Sequence, residues 1–574
     1  MLNRRLNRRS FLALGTGTAV SLASGKSWGL APMPMPPAND GIQEKLDAFT
    51  ADYMKAMNAP GMTQALTDPA ATLRTACYGY ANVDLKIPVN PDHLFQIGSI
   101  TKSFAALILL QLHEEGKLDL HRPVIEYLPW LPITMPFGPI TAHHLLTHTS
   151  GLPDASAIFL SDPEARHVQG FMPGAHFHYC NLGFAILGQI IAKLDGRPWY
   201  QSLQARILTP MGMAATAPVI TIASSARSAV GYQPWFDDQV YPRQGRLAAR
   251  PPEVFDIPAG SIAAPPADMA RYLRMLLNSG QRAGGRIVSE QSFALFSTPY
   301  IKAPEFGPAA SYGYGIAVDV VDGHKTLIHT GGMSCFASSI HVDLDGGYAA
   351  FASINAMQGY RPTAITKYAV QLLRSERAKP LPAPPPLDDP AEIEDAHDYA
   401  GLFRTTEGRE LLFKADGKRL LLLHGNEEIV LQRSAGDTFL STRQDLFADY
   451  SLMFGRDKPT AGAIAPPLVI EVSYGPDWYV NNGYHGERDF RVPPEFPPLI
   501  GRYRSQDGDD ARVFVRKGEL WLGDAPLTAI GASLYRVGDD EWSPDTVEFL
   551  TIADGRARLV RVIDENCWRL EVGS

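Results

Sequence analysis

Three short segments of the chain carry residue types that together could activate a hydroxyl and trap an acyl group. The first is Ser99-Ile100-Thr101-Lys102, the only Ser-x-x-Lys in the sequence. A serine at the start of a helix sits where unpaired N–H groups and the macrodipole favour negative charge. The i, i+3 spacing places the lysine on the same face, and an apolar pocket favours a neutral amine that can accept or relay a proton. Such a pair activates serine without a histidine. The second segment is Tyr179-Cys180-Asn181. A phenol beside a lysine ammonium would ionise more easily and take the serine proton, and the asparagine amide would orient lysine and substrate. Tyr-x-Asn recurs at Tyr80–Asn82 and Tyr479–Asn481. Those copies fall in a strand before Ser99 and in a β-rich tail, so order and context single out Tyr179. The third segment is His329-Thr330-Gly331-Gly332, whose small residues let a substrate backbone approach. The Ser99 and Gly332 N–H groups would together form an oxyanion hole.

These residues need rigid elements to hold them. An apolar run follows Ser99, with Leu107, Leu110, Gln111 and Glu114 tracing helical turns and Gly116 ending it. NLGFAILGQIIAKLDG, from Asn181, and ADMARYLRMLLNSG read as two further helices. Residues 42–57 and 361–374 read as flanking helices. YGYGIAVDVV, TLIHTGG, FASSIHVDLDGG and YAAFASINA read as consecutive antiparallel strands. The expectation is an α/β domain with a mixed, mostly antiparallel sheet over residues 38–378.

Two proline-rich passages divide the remainder: KPLPAPPPLDDP (379–390), a semi-rigid spacer, and the shorter RVPPEFPP (491–498). Beyond the spacer, helical signals nearly vanish and a diverged repeat emerges. Gly401-Leu402-Phe403-Arg404 matches Gly501-Arg502-Tyr503-Arg504, each leading into alternating strands. Two small antiparallel β-barrel domains follow, 391–492 and 493–574, with one larger β-sandwich as the alternative.

The order Ser-x-x-Lys, Tyr-x-Asn, His-x-Gly, with the flanks LFQIGSITKSF, ITAHHLLTHTSGL, YCNLGFAILGQII and YGYGI, resembles the penicillin-recognising serine hydrolases. That group includes class C β-lactamases, D-Ala-D-Ala carboxypeptidases, D-aminopeptidases and related esterases. The resemblance runs from about residue 42 to 374. It implies Ser99 as nucleophile, Lys102 as its activator and Tyr179 as general base. It further implies Asn181, His329, Thr330 and Gly331 as substrate contacts, Ser99 and Gly332 as oxyanion donors, and no cofactor or metal. The His-x-Gly form, where class C β-lactamases usually carry Lys-Thr-Gly, resembles the D-peptidase and D-aminopeptidase branches. So do the two trailing barrels, one of whose loops in those enzymes limits substrate size. The expected reaction is acyl-enzyme hydrolysis of small peptides or amides containing a D-amino acid. A promiscuous esterase or β-lactamase, and a non-catalytic penicillin-binding sensor, are the alternatives. Cys180 stands where serine is common and Cys335 where glycine is common.

Composition narrows the partners. The 574 residues carry a net charge of -9 and no long basic run, which argues against nucleic acid. The partner is a small molecule or short peptide. Arg8-Arg9-Ser10-Phe11-Leu12, ahead of a mild apolar segment, resembles a twin-arginine export signal within residues 1–37. A bacterial periplasmic or secreted protein without a stable membrane span is expected. Four scattered cysteines, Cys77, Cys180, Cys335 and Cys567, are too sparse for a disulfide framework. His143, His144, His148 and His176-x-His178 invite a zinc reading, but no His-Glu-x-x-His pattern supports it. The one Gly-x-Ser-x-Gly, residues 25–29, lies in the export segment and carries no nucleophile elbow.

Overall fold

The computed structural model describes residues 41–570 apart from 163, 236–240, 251–253, 255, 358–360, 376–379, 444, 459–465 and 507. The expected export signal, residues 1–37, lies outside the described residues. Helix α1 (Gly41–Ala56) leads into strands β1 (Gly61–Thr67), β2 (Thr72–Asn82) and β3 (Ile87–Pro88). Helices α2 (Thr101–Glu114), α3 (Ala142–Leu146), α4 (Asn181–Asp195) and α5 (Pro266–Leu277) come next. The chain then returns to the sheet with β4 (Ile301–Lys302), β5 (Ser311–Tyr312), β6 (Ala317–Val321), β7 (His324–Met333), β8 (Phe336–Asp343) and β9 (Tyr348–Ile354), and closes with α6 (Thr363–Arg374).

The nine strands form one sheet in the order β4-β5-β6-β7-β8-β9-β1-β2-β3. Every neighbouring pair in it is antiparallel. Parallel pairing occurs outside this sheet, in the short pair Ile133–Thr134 with His167–Val168 and in the isolated bridges Leu94 with Ser228 and Tyr232 with Ala356. Alternation along the strands splits the core in two. Met62, Leu66, Ala350, Ala352 and Ile354 face α1 and α6, meeting Leu46, Phe49, Tyr368 and Leu372. Ala65, Ala349 and Phe351 point the other way, into the larger core built with α2, α4 and α5.

Each half of the tail closes into its own antiparallel eight-stranded barrel, from Gly401–Arg404 to Asp477–Val480 and from Gly501–Ser505 to Glu565–Arg569. Closure removes the sheet edges that a sandwich would leave open, so the single-sandwich alternative is set aside. The four cysteines form no disulfide, and three of them are buried.

Candidate active site

Ser99 lies in a 3-10 turn, Gly98–Ile100, and α2 begins only at Thr101. The sequence pattern places the helix start at or just after Ser99, in keeping with this turn. The tighter turn suits the site, because three residues per turn bring side chains i and i+3 into line. Gly98 has a φ of +52°, and a Cβ there would come within 2.6 Å of Gly332 N. Only glycine lets the serine turn lie this close to the third segment. Helix α2 is buried all round from Thr101 to Leu110, so its register is fixed by packing on every side. Ser103 Oγ donates to Ile100 O at 2.7 Å and meets Tyr272 Oη at 2.6 Å, pinning the first turn.

Lys102 is fully buried. Its Nζ lies 2.7 Å from Asn181 Oδ1, 3.0 Å from Ala259 O and 3.1 Å from Ser99 Oγ. The first two partners can only accept. A neutral amine therefore offers them its two N–H bonds and turns its lone pair toward the serine hydroxyl; an ammonium donates to all three. The same contacts serve a proton donor and a proton acceptor.

Asn181 opens α4, and Cys180 is the residue that caps it. The Cys180 Sγ accepts from Gly183 N at 3.3 Å and donates to Pro153 O at 3.1 Å. Asn181 N and Nδ2 each donate to Asp154 Oδ1 at 3.2 Å, so a carboxylate that can only accept forces the amide oxygen toward Lys102. Tyr179 is hydrogen-bonded to Ser99, yet burial holds its phenol far above the ordinary range and the Asp154 and Glu305 charges add to the effect. Burial thus opposes the expected easy ionisation, while Lys102 Nζ stands 4.7 Å over the ring centroid.

The third segment lies on β7. Strand β6 pairs with β7 only as far as Ile328, so residues 329–333 keep β8 on one side and turn their other edge toward Ser99. A Cβ on Gly331 would collide with Ile97 O and Ser338 Oγ. His329 is buried; its Nδ1 donates to Thr330 O at 2.7 Å, leaving Nε2 to accept from Tyr312 Oη at 2.7 Å. Burial, then the Lys102 charge, pulls its pKa down to about 3, so it stays neutral. Thr330 is half-buried beside it.

All the expected residues converge: Ser99, Lys102, Tyr179 and Asn181 in one hydrogen-bonded group, His329 to Gly332 along the facing strand. Four further groups went unnoticed in the sequence. Asp154 sets the Asn181 amide, Arg361 lies against Gly332, Glu305 charges the rim near Tyr179, and Asp545 reaches in from the second barrel. The first follows the quoted THTSGL run by two residues and was within reach; Glu305 and Asp545 lie in segments with no pattern, and Arg361 only opens the last helical run. The histidines invoked for zinc are engaged elsewhere. His143 Nδ1 meets Tyr314 Oη at 2.9 Å, His144 caps its own helix, and among the described residues no three ligand-type side chains gather around a metal-sized space.

Residues 46–375 match the beta-lactamase family model, more than half of the chain. The chain belongs to the beta-lactamase family. It is 28% identical over 313 residues to penicillin-binding protein 4 of Amycolatopsis lactamdurans, covering 50% of this chain and 78% of that protein. It is 29% identical over 245 residues to a beta-lactamase of Providencia stuartii, covering 41% and 60%. Among solved structures, the octameric penicillin-binding protein homologue of Pyrococcus abyssi superposes with a TM-score of 0.52 at 25% identity, over 76% of this chain and all of that one. This beta-lactamase-family chain is thus a serine hydrolase of the β-lactamase and penicillin-binding superfamily, extended by two barrels. No described helix is long and apolar enough to cross a membrane.

Proposed function

We propose that this chain is an exported enzyme that hydrolyses amide bonds of small peptides or amides containing a D-amino acid, through an acyl-enzyme on Ser99. Ser99 Oγ attacks the carbonyl carbon while its proton passes to the Lys102 amine. The Ser99 and Gly332 N–H groups receive the oxyanion. Tyr179, still protonated, gives its proton to the departing nitrogen and is refilled from Lys102. Water then cleaves the ester by the reverse path.

The contact that carries this reading is Lys102 Nζ held between Asn181 Oδ1, Ala259 O and Ser99 Oγ. The preference for amides without a carboxylate next to the third segment rests on His329. Its neutral ring, already paired with Tyr312 and Thr330 O, offers a substrate carboxylate no charge. A second reading, D-Ala carboxypeptidase or β-lactamase, is favoured by Arg361, a cation against Gly332 where a carboxylate could be held. Esterase activity would follow from the same nucleophile.

A panel of D-alanyl and L-alanyl p-nitroanilides, a D-Ala-D-Ala peptide, a chromogenic cephalosporin and a p-nitrophenyl ester separates these readings. The D-anilide should turn over fastest among the amides. Preference for the D-Ala-D-Ala peptide or cephalosporin, lost in Arg361→Ala, would replace the first reading with the second. Export is checked by fractionating cells that carry Arg8→Lys/Arg9→Lys, which should retain the protein in the cytoplasm.

A further inference from the structure

Two motif residues, Tyr179 and Asn181, are held from outside the catalytic domain. The loop joining two strands of the second barrel carries Trp542, Pro544 and Asp545. Asp545 is buried, and its Oδ1 accepts from Asp154 N at 2.9 Å. The same oxygen lies 3.4 Å from His178 Nε2, the residue beside Tyr179. Asp154 in turn fixes both polar groups of Asn181, whose oxygen receives Lys102. The Trp542 ring stacks on His176 at 4.5 Å, nearly parallel, and meets Phe171 edge-on at 5.4 Å. Pro544 packs against the backbone of Gly170, where a Cβ would come within 2.8 Å. A second carboxylate of this barrel, Asp564, accepts from Ser156 N at 2.8 Å and Ala157 N at 3.1 Å.

We infer that the second barrel completes the active site, with Asp545 and Trp542 as positioning residues that set Tyr179 and Asn181 against Lys102 and Ser99. This rests on the acyl-enzyme reading above. Neither residue touches the reacting atoms. Asp545 acts through Asp154 on the asparagine amide and through His178 on the tyrosine loop, and Trp542 clamps the same loop two residues further back. Misplacing a proton-transfer group by about 1 Å costs on the order of a hundredfold in rate, so a single carboxylate on another domain controls the chemistry. The link has a charge component. Burial pulls the His178 imidazole down, but Asp545, then Asp154 and Glu305, outweigh it and raise its pKa. His148, packed behind Tyr179, adds no positive charge, since burial holds it far below the ordinary imidazole range. The His178–Asp545 attraction is therefore fully present below the ordinary imidazole value and lost as pH rises through the raised one.

The test uses the full chain with Asp545→Ala, Asp545→Asn and Ser99→Ala. It measures the rate of Ser99 labelling by a fluorescent fluorophosphonate across pH, per folded molecule, and kcat and KM on the best panel substrate. Asp545→Ala should acylate about a hundredfold more slowly with KM little changed. Asp545→Asn keeps an oxygen for the Asp154 N–H and should recover much of the rate. In that variant the alkaline fall moves to lower pH, because His178 has lost its anion. Labelling at the wild-type rate in both variants, or equal losses with no displacement in pH, overturns the inference while leaving the hydrolase reading in place. Continued labelling of Ser99→Ala overturns the hydrolase reading and, with it, this one.

Discussion

The two barrels share a strand plan and a Gly-x-aromatic-Arg opening, yet they relate to the catalytic domain in different ways. The first keeps its own apolar core, built around Phe403, Phe413, Phe439 and Phe454. It meets the catalytic domain through polar contacts such as Arg243 N donating to Gln432 Oε1 at 2.7 Å. In the second, Tyr503, Val547 and Phe549 belong to one continuous apolar cluster with Leu152, Leu187 and Phe184 of the catalytic domain. Among the described residues, only this barrel places carboxylates on the loop that carries Asp154. A repeated fold can thus serve as an appendage in one copy and as part of an active site in the other. What decides between these roles is a few loop residues and the continuity of buried apolar surface.

The sharpest challenge to that contrast is a matched pair of core truncations. Phe439→Ala and Phe549→Ala remove equally buried rings and should each cost about 3–5 kcal/mol. Urea unfolding should find similar losses, but only Phe549→Ala should also slow Ser99 acylation. Equal kinetic effects would erase the distinction between the barrels.

An alteration inside the catalytic domain sets the scale for such kinetic losses. Gly98→Ala puts a methyl group against Gly332 N at a position of positive φ. Its kcat should fall by about 2.7–4 kcal/mol of transition-state stabilisation, the cost of one oxyanion donor. A variant with normal kcat would mean that the serine turn and β7 do not form the hole.

Acid should act on the catalytic domain in the opposite sense from its effect at the barrel contact. Burial holds His143 at about 4 and His329 and His341 at about 3, all below the unfolded value. From pH 6.5 downward the unfolded chain binds these protons and the folded one does not. Stability should fall by about 1.4 kcal/mol per pH unit for each such histidine until its folded pKa is reached. His178 runs the other way, losing its contribution as pH rises. Hydrogen exchange followed segment by segment between pH 4 and 9 should find the sheet around His329 and His341 loosening in acid, with the Trp542 loop loosening in alkali. Uniform loosening at both extremes would contradict this.

The smallest effect belongs to the contact between the barrels. Lys517 pairs with Glu471 at 3.1 Å near the surface, and such pairs contribute about 0–1 kcal/mol. Lys517→Ala should change Tm little and acylation not at all. A kinetic effect would mean that the first barrel also reaches the site.

Much of the site was legible because its chemistry is local in sequence. Ser99 and Lys102 share one turn, and Tyr179 and Asn181 sit on either side of a helix cap. The third motif, His329 to Gly332, occupies four adjacent positions. The barrels were legible for a similar reason, since strand alternation and the Gly401 and Gly501 openings repeat within short windows. What escaped depends on distance in sequence. Nothing near Trp542 or Asp545 signals a partner some 370 to 390 residues earlier, and one aspartate in a loop has no period. Protonation escaped too. The Tyr179 phenol could be read as easily ionised until its burial, a property of the assembled domain, was known. Likewise, Cys180 has the character of a small apolar residue in sequence and becomes a cap only once α4 begins at Asn181.

The central claim is that Ser99 forms the acyl-enzyme. Peptide mapping by mass spectrometry after brief incubation with the fluorescent fluorophosphonate tests it most directly. A single adduct on Ser99 in the wild-type chain, slowed in Lys102→Ala and missing in Ser99→Ala, is the predicted result. An adduct on another residue, or one that persists in Ser99→Ala, would contradict the account.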